Sequence, residues 1–174
     1  MALPQGKTFI ATDEVSQLRE YGIVVPYILR PKGEVYLKIE GGDRKITPPP
    51  VGASSPSCLD AVLSPDRKKV LIHCIGTKSH LSVHDVLSNR DYQLGVIAEP
   101  GSWSPDGSHL LYLLEISDGH VVFWNDLYVT HYSGGKKVKI ARVKGTAHGA
   151  SWGKDNVIGY EQEGKIIVAK MNLT

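Results

Sequence analysis

Seven histidines are the residues of this chain best suited to holding a metal ion or moving a proton, so their spacing comes first. His80 and His84 stand four apart in "HLSVHDV", a spacing that would put two ligands on one face of a helix. This segment reads as a strand, where residues four apart share a face but sit roughly 13 Å from one another, beyond the span of one zinc ion. His73 and Cys74 are adjacent and point to opposite faces of a strand, so they cannot chelate together. No metal and no cofactor are expected, and the histidines are read as buried and satisfied or as exposed.

Nucleophilic machinery is not in evidence either. There is no G-x-S-x-G elbow to present a serine. Gly41–Gly42 and Gly134–Gly135 fall in hairpin turns, not between a strand and a helix, so neither pair cradles a phosphate. Cys58 and Cys74 lie near the two ends of a hairpin centred on Ser64–Lys68. A bridge there needs Cα atoms within about 7 Å, and two reduced core cysteines are the expectation. "NLT" at 172–174 has the form of a glycosylation acceptor, a triplet that chance supplies often. The chain is expected not to be an enzyme.

Bulk properties narrow the classes further. The 174 residues are 41% hydrophobic and 22% charged, ordinary values for a soluble domain. Twenty Lys and Arg face 18 Asp and Glu, a net charge of +2 that predicts no nucleic-acid partner. The one basic cluster, "KKVKIARVK" from Lys136 to Lys144, alternates, and reads as a strand edge protected by lysines. No apolar run reaches membrane-spanning length, and "MALPQGKTFIATDE" has no signal-peptide core. Cytoplasm is the default compartment for the chain as it stands, and export the reading if a leader precedes it.

The elements that must position any site emerge from internal repetition. "LSPDRKKVLIHC" (63–74) and "WSPDGSHLLYLLE" (103–115) align without a gap, and "WGKDNVIGYEQE" (152–163) is a weaker third copy. Their lead residues Leu63, Trp103 and Trp152 are 40 and 49 positions apart, intervals that fit the blades of a β-propeller. In the first two copies Pro65 and Pro105 preset φ for a β-turn, and in all three the aspartate can accept from the turn backbone. A strand-rich run follows, then an extended pair joined by a small turn, as in "HLSVHDVLSNRDYQL", "DLYVTHYSGGKKVKIA" and "EVYLKIEGGDRKIT". The second unit is predicted as strands 59–63, 70–74, 80–86 and 91–94, and the third as 101–104, 110–115, 127–131 and 137–142. The last has 149–152, 157–160 and 165–170, with no fourth strand. Only "DEVSQLREYG" (13–22) has the acidic start and terminal glycine of a short helix, and it reads equally as a loop between strands.

"WSPDG" followed by a strand, then "DLYV…SGG" and a final strand, resembles the WD-repeat-like blades of TolB-type β-propellers and of the propellers attached to prolyl-oligopeptidase-type enzymes. The likeness covers Cys58 to Met171 well, and residues 9–50 only through "GEVYLKIEGGDRKIT". It implies an all-β propeller or partial propeller of about four four-stranded antiparallel blades. In one domain over 1–174 these run roughly 8–50, 54–97, 98–144 and 145–174. Arg67 replaces the turn glycine in one copy and "GKDN" replaces SPDG in another. Such propellers ordinarily close a ring of six or more blades, as the resemblance implies. Four blades leave terminal surfaces to cover, by a second copy or by "KTFIATDE" (7–14) returning to the last blade; a partner is preferred.

The expected function is a non-catalytic module for protein–protein interaction, self-associating through Phe9, Ile10, Ile166, Ile167 and Val168. The alternatives are an accessory propeller of a prolyl-oligopeptidase-type or glycan-processing hydrolase, and a sugar- or peptide-binding propeller. A longer connection, "SDGHVVFWN" (117–125), distinguishes the third blade. It is expected to lengthen a strand pair and bury Phe123 and Trp124 against the next blade, the other reading being an exposed apolar patch. Loops on that side of a propeller meet ligands, so Glu99, His120, Trp124 and His148 are the expected ligand-contacting rim.

Overall fold

The computed structural model describes residues 25–29, 32–39, 41–48, 57–76, 79–96, 99–144 and 150–172. The segment 13–22, read as a short helix or a loop, and the residues Phe9, Ile10 and His148 lie outside them. Within them strands predominate, helix is nearly absent, and the strands form four antiparallel sheets that follow one another in sequence. The first contains β1 (Val25–Leu29), β2 (Glu34–Ile39) and β3 (Gly42–Lys45). The second contains β4 (Ser57–Leu63), β5 (Lys69–Ile75), β6 (Ser79–Asp85) and β7 (Arg90–Val96). The third contains β8 (Glu99–Trp103), β9 (His109–Ser117), β10 (Val122–His131) and β11 (Val138–Lys144). The fourth contains β12 (Ala150–Trp152), β13 (Val157–Gln162) and β14 (Lys165–Lys170). Strands pair in chain order within every sheet, as propeller blades do. Blades two and three have four strands. Blade one, expected to have four, shows three among the described residues, as does blade four.

The repeated corner is built the same way twice. Ser64 N–H donates to Lys69 O and Arg67 N–H to Ser64 O; Ser104 N–H donates to His109 O and Gly107 N–H to Ser104 O. In both, the serine hydroxyl donates to the aspartate two residues on, at 2.5 Å to Asp66 and 2.6 Å to Asp106. Each aspartate also accepts the N–H two residues later, from Lys68 and Ser108. The carboxylate thus satisfies donors that the reversing backbone leaves open. At the fourth corner position Gly107 has φ +70°, and Arg67 occupies the same left-handed region at φ +59°.

Each strand of the inner blades has two working faces, which explains why six of the seven residues of β5 are buried, Lys69 and His73 among them. Val70, Ile72 and Cys74 of β5 pack with Val35, Leu37 and Ile46 of blade one. Leu71 joins Leu81, Val83 and Leu94 against Trp103, Leu110 and Tyr112 of blade three. The opposite side of blade three, Leu111, Leu113, Leu127, Val129 and Val143, meets Trp152 and Ile158 of blade four. Three cores therefore lie between four blades. Trp103 and Trp152 occupy equivalent places in successive cores, 6% and 7% exposed. Trp103 Nε1 also donates to Val62 O of the preceding blade at 3.2 Å.

The cysteine expectation is overturned: Cys58 and Cys74 form a disulfide across β4 and β5. A bulge at the Cys58–Asp60 step slips the pairing by one residue and sets the two cysteines opposite one another. His80 and His84 are both buried on β6, and His84 Nδ1 lies 2.9 Å from Asp91 on the paired strand.

Candidate functional site

The long connection of blade three does lengthen the hairpin: β9 runs to Ser117 and β10 begins at Val122. Asp118 caps the reversal, accepting from the N–H groups of His120 and Val121 at 2.9 and 2.8 Å. These two bonds hold the Asp118 carboxyl below its ordinary pKa. The expectation for Phe123 fails. A register shift between Val122 and Trp124 leaves Phe123 unpaired and 44% exposed, beside Val121 at 58%. Trp124 is half-buried.

Trp124 lies on the face of β10 that also carries Asp126, and Lys144 and Arg142 stand opposite them on β11. Arg142 clamps Asp126 with two bonds, Nε to Oδ1 at 2.8 Å and the terminal nitrogen to Oδ2 at 3.0 Å. Lys139 adds a third contact at 2.8 Å. The Arg142 bonds, with those of Lys139, outweigh burial and hold the Asp126 carboxyl below the usual carboxylate range. The guanidinium lies over the Trp124 ring, 4.3 Å from its centroid. The Phe123 ring is tilted at 43° to the Trp124 ring, with centroids 5.9 Å apart.

These residues form one wall of a cleft of about 440 Å³, lined by Phe123, Trp124, Arg142, Lys144, Gln162 and Glu163. The last two belong to the β13–β14 turn of blade four, so the cleft straddles two blades. Glu163 holds φ +50°, the left-handed region where glycine or asparagine is usual.

Of the expected rim, Trp124 lines this cleft. His120 is exposed at the tip of the β9–β10 turn and does not line it, and Glu99 opens β8 opposite Leu113 on β9. Arg142, Lys144, Gln162 and Glu163 were not expected there. Their signal in the sequence is weak: pairing across strands, not spacing along the chain, unites them. Among the described residues no three His, Cys, Asp or Glu side chains are grouped to hold a metal. No described helix is long and apolar enough to cross a membrane.

The two terminal blades each keep one face uncovered by a neighbour among the described residues. On blade four Ile158, Tyr160 and Ala169 turn toward blade three, and Ile167 pairs with Tyr160 on that side. Ile166 and Val168 point the other way, 73% and 66% exposed. On blade one Ile28, Val35 and Leu37 turn toward blade two. Tyr27 and Tyr36 stack at 5.6 Å on the opposite face, with Leu29 beside them, 45% exposed.

No family model and no curated protein matches the sequence. Solved structures do match the fold. A protein described as TolB from Agrobacterium tumefaciens superposes with TM-score 0.56 at 18% identity, over 86% of this chain and 54% of that one. TolB from Acinetobacter baumannii gives 0.57 at 15% identity, over 82% of this chain and 37% of its own. The acylaminoacyl peptidase of Pyrococcus horikoshii gives 0.52 at 11% identity, over 84% and 30%. The chain thus spans about half, or less, of the length of each of these proteins. Four successive antiparallel sheets with repeated aspartate corners have the fold of TolB-like β-propeller blades.

Proposed function

We propose that this chain is a non-catalytic propeller module for protein–protein interaction, and that it self-associates through its terminal blades. The observation that carries the reading is the outward face of blade four. In blades two and three the equivalent faces are sealed in inter-blade cores, whereas Ile166 and Val168 stand in solvent. Exposed aliphatic residues of that size on adjoining strand positions mark a contact surface. Every copy also carries a matching surface, the Tyr27–Tyr36 stack with Leu29 on blade one. Blade four of one copy packing on blade one of another repeats the geometry that already joins each blade to the next. Two such contacts related by a two-fold axis close on themselves, so association stops at a pair.

Size-exclusion chromatography with light scattering tests this at tens of micromolar. The expected result is a dimer, converted to a monomer by Ile166→Lys with Val168→Lys, both on an already solvated face and so compatible with folding. A wild-type chain that stays monomeric refutes self-association. The likeness to the Pyrococcus horikoshii peptidase, of which the chain spans 30%, favours a second reading as an accessory propeller of a hydrolase. Stable complex formation with a peptidase encoded beside this chain distinguishes that reading.

A further inference from the structure

We propose that the Trp124 cleft and the free edge of β11 together bind an extended acidic peptide of a partner protein. The peptide adds a strand to blade three and sets an apolar side chain against Phe123. The proposal rests on the interaction-module reading and uses neither terminal face.

Among the described residues β11 is last in its sheet and pairs only with β10, so its outward backbone donors and acceptors offer an edge for an added strand. This is what makes the ligand a peptide and not a free anion. Cations run beside that edge: Lys136, Lys137, Lys139, Arg142 and Lys144. Two of the side chains are tied to Asp126 and Lys137 donates to Leu94 O. Lys139, Arg142 and Lys144 stand against the Asp126 and Glu163 carboxylates, which leaves one positive charge over. Lysines along an edge repel indiscriminate strand addition. The same row selects a partner whose side chains facing it are acidic.

The apolar half of the site is already displayed. Phe123 lines the cleft beside the Trp124 indole and is exposed, as is Val121 two residues before it. Arg142 is fixed on two sides, by Asp126 and by the Trp124 ring, so little ordering cost remains when a ligand arrives. Across the cleft Glu163 and Gly164, at φ +50° and +73°, form the two-residue turn that joins β13 to β14, and this hairpin geometry holds the wall in place.

Isothermal titration with a blocked peptide of alternating aspartate and leucine tests the proposal. The titration is run on the wild type and on the Ile166→Lys/Val168→Lys chain, so that a failure of self-association leaves this result untouched. Saturable binding in both chains is expected. It should weaken by about tenfold in Lys144→Glu and in Phe123→Ser, fall as salt rises, and vanish when alternate peptide nitrogens are methylated. Absence of saturation overturns the proposal. So does equal binding of the asparagine–leucine or lysine–leucine peptide, insensitivity to both variants, or binding of oligogalacturonate where the peptide fails.

Discussion

Lys69 offers the sharpest test of how neighbouring blades are tied together. Its side chain is only 8% exposed, and its Nζ lies 2.6 Å from Asp66 in its own corner. The same ammonium sits 4.7 Å from the centroid of Tyr132, on the far loop of blade three. Lys69→Met keeps the aliphatic stem and deletes the charge. The lost ion pair is worth about 1 kcal/mol after discounting for solvent around Asp66, and the cation–π contact about 1 kcal/mol more. Relief of the buried ammonium's desolvation offsets part of this, leaving a net loss of about 1.5 kcal/mol. For a chain of this size that lowers Tm by about 3–6 °C. A pH signature separates the ion pair from mere packing. Burial pushes the Asp66 carboxyl up, but bonds from Lys69, Ser64 and Lys68 outweigh it and its pKa is lowered. A carboxylate lowered in the fold contributes stability above its unfolded pKa of about 3.9 and loses it as pH falls through the folded value. The gap between wild type and Lys69→Met should therefore narrow on acidification through that range. Urea unfolding at neutral and acid pH measures it, and a double-mutant cycle with Tyr132→Leu should return a coupling of about 1 kcal/mol. A gap below about 0.3 kcal/mol at neutral pH, or one unchanged by acid, refutes the reasoning.

Three further outcomes follow from local geometry. At Gly101 an added Cβ would fall 1.3 Å from Leu111 O, so Gly101→Ala must push β8 off β9; urea unfolding should show a loss of about 3 kcal/mol. Arg67→Gly removes a side chain from a left-handed corner and should gain about 0.5–1 kcal/mol in the same assay. Cys58→Ala with Cys74→Ala opens a loop of sequence separation 16 and should lower stability by about 2–3 kcal/mol, with wild type in reductant behaving alike.

The corners and the alternation of the strands were legible because both are local. Ser64, Asp66, Ser104 and Asp106 announce their turns within five residues, and the 40- and 49-residue intervals place the blades. The features that escaped all depend on bulges. Counted back from the turn, Leu63 pairs with Val70 and Asp60 with His73, so unbroken register would set Leu59 against Cys74; the bulge brings in Cys58 instead. A second bulge throws Phe123 out of the ladder and into solvent. A third, between Leu127 and Tyr128, sets Lys139 opposite Tyr128 and leaves Arg142 opposite Asp126, giving that carboxylate two cations. One extra residue reverses which face a side chain takes, and no periodicity along a single strand records it.

The same geometry predicts where the molecule opens. In a stack of blades, stability is a sum of terms from each blade and each interface between neighbours. Blade two is held on both sides, and six of seven residues of β5 are buried. Among the described residues blade four has a single interface, and β14 alternates between exposed and half-buried positions. Its amides should exchange through local opening at a lower free energy than those of β5 or β9. If a second copy covers Ile166 and Val168, that opening must first break the contact, so protection in β14 and in β1–β2 rises with protein concentration by mass action. Exchange in β5 and β9, sealed within each chain, stays the same over the dilution series. Hydrogen exchange read by mass spectrometry at several concentrations resolves these segments. Uniform exchange across the blades, or β14 protection independent of concentration, would mean that blade four is stabilised within one chain.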